Sequence, residues 1–105
     1  MPRKTWKDGK IVRDKYARWA EEVAKQAGAA FIDLNEIIAR KYEAMGPEKV
    51  EPLFADEHTH TSWEGAEINA ASVIEELKSL KPNPLAAYFS AKASALKAAE
   101  VVPRV

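Results

Sequence analysis

Acid, base and hydroxyl chemistry converge in one stretch, Phe54-Ala55-Asp56-Glu57-His58-Thr59-His60-Thr61-Ser62. It holds both histidines of the protein, two adjacent carboxylates and three hydroxyls, and it opens directly into a helix start. Three kinds of chemistry fit such a cluster. In the plainest, the polar side chains cap the following helix and do nothing else. In the second, His58 and His60 point the same way along an extended segment and hold a metal, with Asp56 or Glu57 adding oxygen ligands. A closed site normally takes four ligands, and the chain offers no third histidine and no cysteine. The third is hydrolysis, in which a histidine takes the proton of a nucleophile and a carboxylate fixes the imidazole's tautomer. An acid and a base three residues apart on one loop can both be oriented by a single rigid turn. Ser62 is the serine nearest the histidines. It can serve a nucleophile's role or a helix N-cap's, and backbone N–H groups at that helix start can bind an oxyanion.

Hydrophobic spacing sets the elements on either side of this loop. Asp8-Gly9 is a turn signal between Thr5-Trp6-Lys7 and Lys10-Ile11-Val12, giving either a short hairpin or an extended loop. From Arg13 to Gln26, residues Tyr16, Trp19, Ala20, Val23 and Ala24 recur at helical spacing, with Asp14 as N-cap and Gly28 as stop; this helix should pack on a core. The short apolar run Ala29-Ala30-Phe31-Ile32-Asp33-Leu34 reads as a buried parallel strand, half of a βαβ unit. Asp33 then lies near a strand end, where it or Asn35 caps the next helix. Leu34, Ile37, Ile38, Tyr42 and Met45 repeat at helical spacing, with Asn35 as N-cap and Gly46-Pro47 as terminator. Glu48 to Phe54 is a connector with one helical turn, broken by Pro52.

Beyond the histidines, Ser62 to Leu80 is the strongest helical pattern. Ala66, Ile68, Asn69, Ala70, Val73, Ile74, Leu77 and Leu80 make a wide apolar face around one polar residue, and that face should pack on the sheet. Thr61 and Glu64 have capping-box spacing, and Lys78 and Lys81 lie where the helix dipole favours cations. After Lys81-Pro82-Asn83-Pro84, the Ala-rich tail to Ala99 reads as a peripheral helix anchored by Leu85, Tyr88, Phe89 and Leu96.

The block Leu53-Phe54-Ala55-Asp56-Glu57-His58-Thr59-His60-Thr61-Ser62-Trp63-Glu64-Gly65-Ala66 resembles the last conserved block of the SGNH/GDSL hydrolases, and most of all that of rhamnogalacturonan acetylesterase-like carbohydrate esterases. That block has an acid, two intervening residues, the catalytic histidine, and a His-Thr-Ser-x-x-Gly-Ala run opening the final helix. The resemblance makes His60 the base and Glu57 its acid partner, standing where the family usually has Asp; Asp56 is the alternative acid, and His58 is a non-catalytic neighbour. Residues from Trp6 to Val12, the Tyr16–Gly28 helix and Phe31-Ile32-Asp33-Leu34-Asn35 resemble the region before that block. The family's nucleophile lies in a Gly-Asp-Ser block, which this sequence lacks, as it lacks a Gly-x-Asn-Asp and a Gly-x-Ser-x-Gly elbow.

The chain, residues 1–105, is expected to form one small domain: the C-terminal half of an SGNH-like domain over about residues 5–80, plus a helical tail over 85–100. Its fold class is α/β, a partial flavodoxin-like three-layer fold that is mostly helical with one or two short strands. Too little sheet remains to cover three amphipathic helices, so the fold should be completed by self-association, with Phe31, Ile32, Ile37, Ile38, Val73 and Ile74 at or near the buried surface. The resemblance implies ester hydrolysis on small acyl esters, acetylated carbohydrates among them, and no cofactor. The alternative is an inactive structural or oligomerising remnant. Zero formal net charge and no basic stripe argue against nucleic acid. No stretch is apolar enough for a membrane span, and no apolar leader follows Met1, so a cytoplasmic location is the default.

Overall fold

The computed structural model describes residues 1–55 and 57–98. Asp56, a candidate acid, therefore lies outside the described residues, as does the end of the tail expected to be helical. The Asp8-Gly9 signal makes a hairpin. Strands β1 (Trp6–Lys7) and β2 (Lys10–Ile11) pair antiparallel, Trp6 opposite Ile11 and Lys7 opposite Lys10. Asp8 and Gly9 have φ of 51° and 77°, the two left-handed residues that a tight two-residue hairpin turn demands. The hairpin drives Ile11 into the core and lays Trp6 against it.

Helix α1 (Tyr16–Ala27) forms where the periodicity places it, and Gly28, at φ 71°, closes it. Its expected core packing does not occur. None of its residues is buried, and Tyr16, Trp19 and Val23 remain 68%, 48% and 65% exposed. The parallel strand read over residues 29–34 is also absent. Ala29 N–H bonds back to Ala24 O at 2.8 Å, and the chain then runs without ladder partners to the next helix. A strand needs a neighbour to take its alternate backbone groups, and among the described residues the sheet ends with the hairpin. Both departures share that cause: the sheet that would bury α1 is not formed.

Helix α2 (Leu34–Met45) begins earlier than an Asn35 cap would place it, because Asp33 is its cap: Asp33 Oδ1 accepts from Glu36 N–H at 3.3 Å. Asn35 is instead buried in the first turn. Ile38, Ala39 and Tyr42 are fully buried on the inner face. Gly46, at φ 86°, turns the chain into α3 (Pro47–Val50), followed by a 3₁₀ turn, Glu51–Leu53. The core gathers Ile11, Ile38, Ala39, Tyr42, Val50, Leu53 and Phe54, with the Tyr42 and Phe54 rings edge-to-face at 5.9 Å. Of the residues assigned to an assembly surface, Ile38 belongs to this core; the other five are half-buried.

Helix α4 (Trp63–Ser79) matches its predicted span but not its predicted face. The buried line is Gly65, Asn69, Ser72 and Glu76, while Ala66 and Ala70 are exposed and Ile68, Val73, Ile74 and Leu77 half-buried. Instead of a sheet, α4 packs on α2 and on the Glu51–Leu53 turn. That contact is close enough to select small side chains: a Cβ on Gly65 would lie 2.0 Å from the Leu53 carbonyl oxygen. Lys41 of α2 reaches across to Ser72 Oγ at 2.8 Å and to Glu75 at 2.6 Å. Burial pushes the Glu76 carboxyl above the usual carboxylate range, with Asp33 and Glu75 adding repulsion.

The tail is not one helix. It makes a 3₁₀ turn at Ala86–Tyr88 and a four-residue α5 (Ala91–Ser94) started by Ser90, whose hydroxyl accepts from Ala93 N–H. Tyr88 and Leu85 are exposed rather than anchoring, and Ala93 is the buried contact. Alanine's helix propensity is too weak to carry a helix with so thin an apolar stripe. Among the described residues no helix is long and apolar enough to cross a membrane.

Candidate active site

The histidine stretch is a loop closed at its base. Phe54 and Thr61 form an antiparallel bridge. Ala55 N–H donates to His60 O at 2.8 Å and Ser62 N–H to Leu53 O at 2.9 Å. The neck is anchored on one side by buried Leu53 and Phe54 and on the other by the start of α4. From the N-terminal segment, Lys4 N–H donates to His58 O at 2.8 Å. The Lys4 ammonium pairs with Glu51 at 2.9 Å and stands 5.5 Å from the Phe54 ring centre. Nothing in the sequence around Lys4 marks this role, since it depends on a contact 54 residues along the chain.

The loop brings Glu57 and His60 together. Glu57 Oε1 pairs with His60 Nδ1, the nitrogen through which a carboxylate fixes a catalytic imidazole's tautomer. Nε2 is thereby left for a reacting proton. The pair is largely in water: the His60 side chain is 77% exposed and Glu57 42%. Among the described residues, no three His, Asp or Glu side chains gather so as to hold a metal; His58 contributes only its carbonyl, to Lys4.

Ser62 is drawn into structure. It is the N-cap of α4, its Oγ accepting from Gly65 N–H at 3.3 Å and donating to the Pro52 carbonyl at 2.6 Å. The cap thus falls on Ser62 and not on Thr61, which stands opposite Phe54 in the bridge. A serine whose proton goes to a carbonyl is not poised toward an imidazole. The Pro52 carbonyl lies ten residues upstream, so no local pattern announces it.

A cleft of about 570 Å³ adjoins the loop. Arg3, Tyr16, Phe31 and Asp33 contribute to its wall together with Thr59 and Thr61, the two neighbours of His60. The imidazole itself is not part of that lining. The walls of the cleft are polar and aromatic.

Among curated proteins, the chain is similar to a rhamnogalacturonan acetylesterase of Emericella nidulans, with 28% identity over 76 residues. The matched segment is 70% of this chain and 31% of that protein, so the chain spans about a third of its relative's length. No family model matches the chain, and no solved structure does. The likeness is to an acetylesterase, and it is distant.

Proposed function

We propose that this chain carries the acid–base part of an SGNH-type ester hydrolase, acting on short-chain acyl esters with acetylated carbohydrates as the natural class. One observation carries the reading: Glu57 holds His60 by Nδ1, which leaves Nε2 for a reacting proton. His60 Nε2 would accept the proton of a hydroxyl or water as its oxygen attacks the acyl carbon. As the ester C–O bond breaks, the same proton passes to the departing alkoxide, giving an alcohol. Glu57 would stabilise the transient imidazolium, with Asp56 its alternative. The distant likeness to an acetylesterase supports the assignment.

The test is hydrolysis of p-nitrophenyl acetate by the wild type and by His60→Ala. Loss of general-base help should cost roughly tenfold or more. Equal rates for the two proteins would sink the proposal. A second reading, an inactive remnant, is favoured by the commitment of the Ser62 hydroxyl to Pro52. Ser62→Ala separates the two roles of that serine. As a cap it should cost about 1 kcal/mol of stability, with any serine-dependent turnover and phosphonate labelling absent from the start.

A further inference from the structure

Among the described α-helices, α1 alone buries none of its residues, yet it carries an ordered apolar seam. Tyr16, Trp19 and Val23 follow the spacing of a helix–helix seam, and their rings and side chains are among the most exposed large apolar groups in the molecule. The Tyr16 and Trp19 rings are already packed edge-to-face at 5.4 Å. One flank of the seam is small, with Ala20 and Ala27, and lets another backbone approach. The other flank carries Lys15 and, seven residues on, Glu22. The Lys15 ammonium stands 5.4 Å from the Trp19 ring centre, which keeps its charge beside the seam.

We infer that this face is where a second copy of the chain docks, α1 against α1, antiparallel about a twofold axis. A twofold interface sets each residue against its counterpart's partner. Lys15 of one copy then meets Glu22 of the other, and the reciprocal pair forms at the far end. In a parallel pair the same flank would face Ala20 and Ala27 and leave both charges without an ionic contact. The charge order along this flank therefore selects the antiparallel mate. Twelve helical residues rise only about 18 Å. The seam thus falls short of the roughly 800 Å² per partner of a standard interface, and the dimer is a weak one that forms as concentration rises.

Sedimentation velocity over a roughly hundredfold concentration range tests this on the full chain. The wild type should pass from monomer to dimer. Val23→Glu should hold it monomeric, and circular dichroism should show it folded, because Val23 is 65% exposed. Lys15→Glu and Glu22→Lys should each weaken the dimer roughly tenfold by facing like charges. The double reversal Lys15→Glu/Glu22→Lys should restore it. A monomer at every concentration overturns the inference, and so does a dimer indifferent to Val23→Glu. A double reversal no stronger than the single changes overturns the antiparallel arrangement.

Discussion

Removing Arg13 should test how this small core is held together. Its guanidinium grips Glu36 with two bonds, at 3.0 and 3.2 Å, and also bonds Glu43 and the Ile11 carbonyl at 2.9 Å. Glu43 in turn accepts from Ile11 N–H at 2.9 Å. The hairpin strand β2 and helix α2 are thus joined both by the Arg13 guanidinium and directly by the Ile11–Glu43 bond. The bond from Arg13 is the chief cause that holds the Glu36 carboxyl down from 4.5 to about 2, with Arg40 assisting and burial opposing. At about 1.4 kcal/mol per pH unit that depression sets a ceiling of about 3 kcal/mol. Part belongs to Arg40, and the Glu36 side chain is still 24% exposed, so screening reduces Arg13's share to about 1.5–2 kcal/mol. For a domain of this size, Arg13→Met should lower Tm by about 6–16 °C at pH 7. Because the folded carboxyl is the stronger acid, the stabilisation is present above pH 4.5 and fades as pH falls toward 2. Thermal melts of wild type and variant at a series of pH values should therefore converge near pH 2. A Tm loss under about 2 °C at pH 7, or a gap that persists undiminished into acid, would refute the reasoning.

Gly65→Ala gains about 1 kcal/mol in helix propensity yet should destabilise by about 3 kcal/mol or more, because its Cβ would meet the Leu53 carbonyl oxygen at 2.0 Å; urea unfolding measures it, and a stabilised variant would contradict the close approach. Asn69 is buried with both side-chain polar atoms unpartnered, so Asn69→Leu should add about 1–2 kcal/mol. A loss in the same titration would reveal that the amide has a partner, such as a buried water.

Local signals in the sequence were reliable where the physics is local. Asp8-Gly9 specifies a turn through φ alone, and Gly28 and Gly46-Pro47 end helices by the same means, so these appear where the residues place them. The apolar run 29–34 failed because strand character belongs to a ladder and not to a segment. Helix α4 shows the same dependence on context: seven apolar residues around Asn69 promise an inner face, but close packing on the Glu51–Leu53 turn selects Gly65, and Ser72 meets Lys41 of α2. At the candidate site, the three-residue spacing of Glu57 and His60 was legible because one turn joins them. The commitments of Ser62 to Pro52 and of Lys4 to His58 were not, since each joins residues separated along the chain.

The bridge between Phe54 and Thr61 closes the histidine loop on itself, with the Lys4 N–H on the His58 carbonyl as a further tie to the N-terminal segment. The loop's two ends are already tied to each other, so the segment between them pulls little on the scaffold, and lengthening it adds only a slowly growing closure entropy. Substitutions and insertions between Ala55 and His60 can accumulate without reaching the core. The loop's sequence and the chain's foldedness can therefore drift apart: a chain that has exchanged Glu57, His60 or the whole tip would still present the same helices to its surroundings.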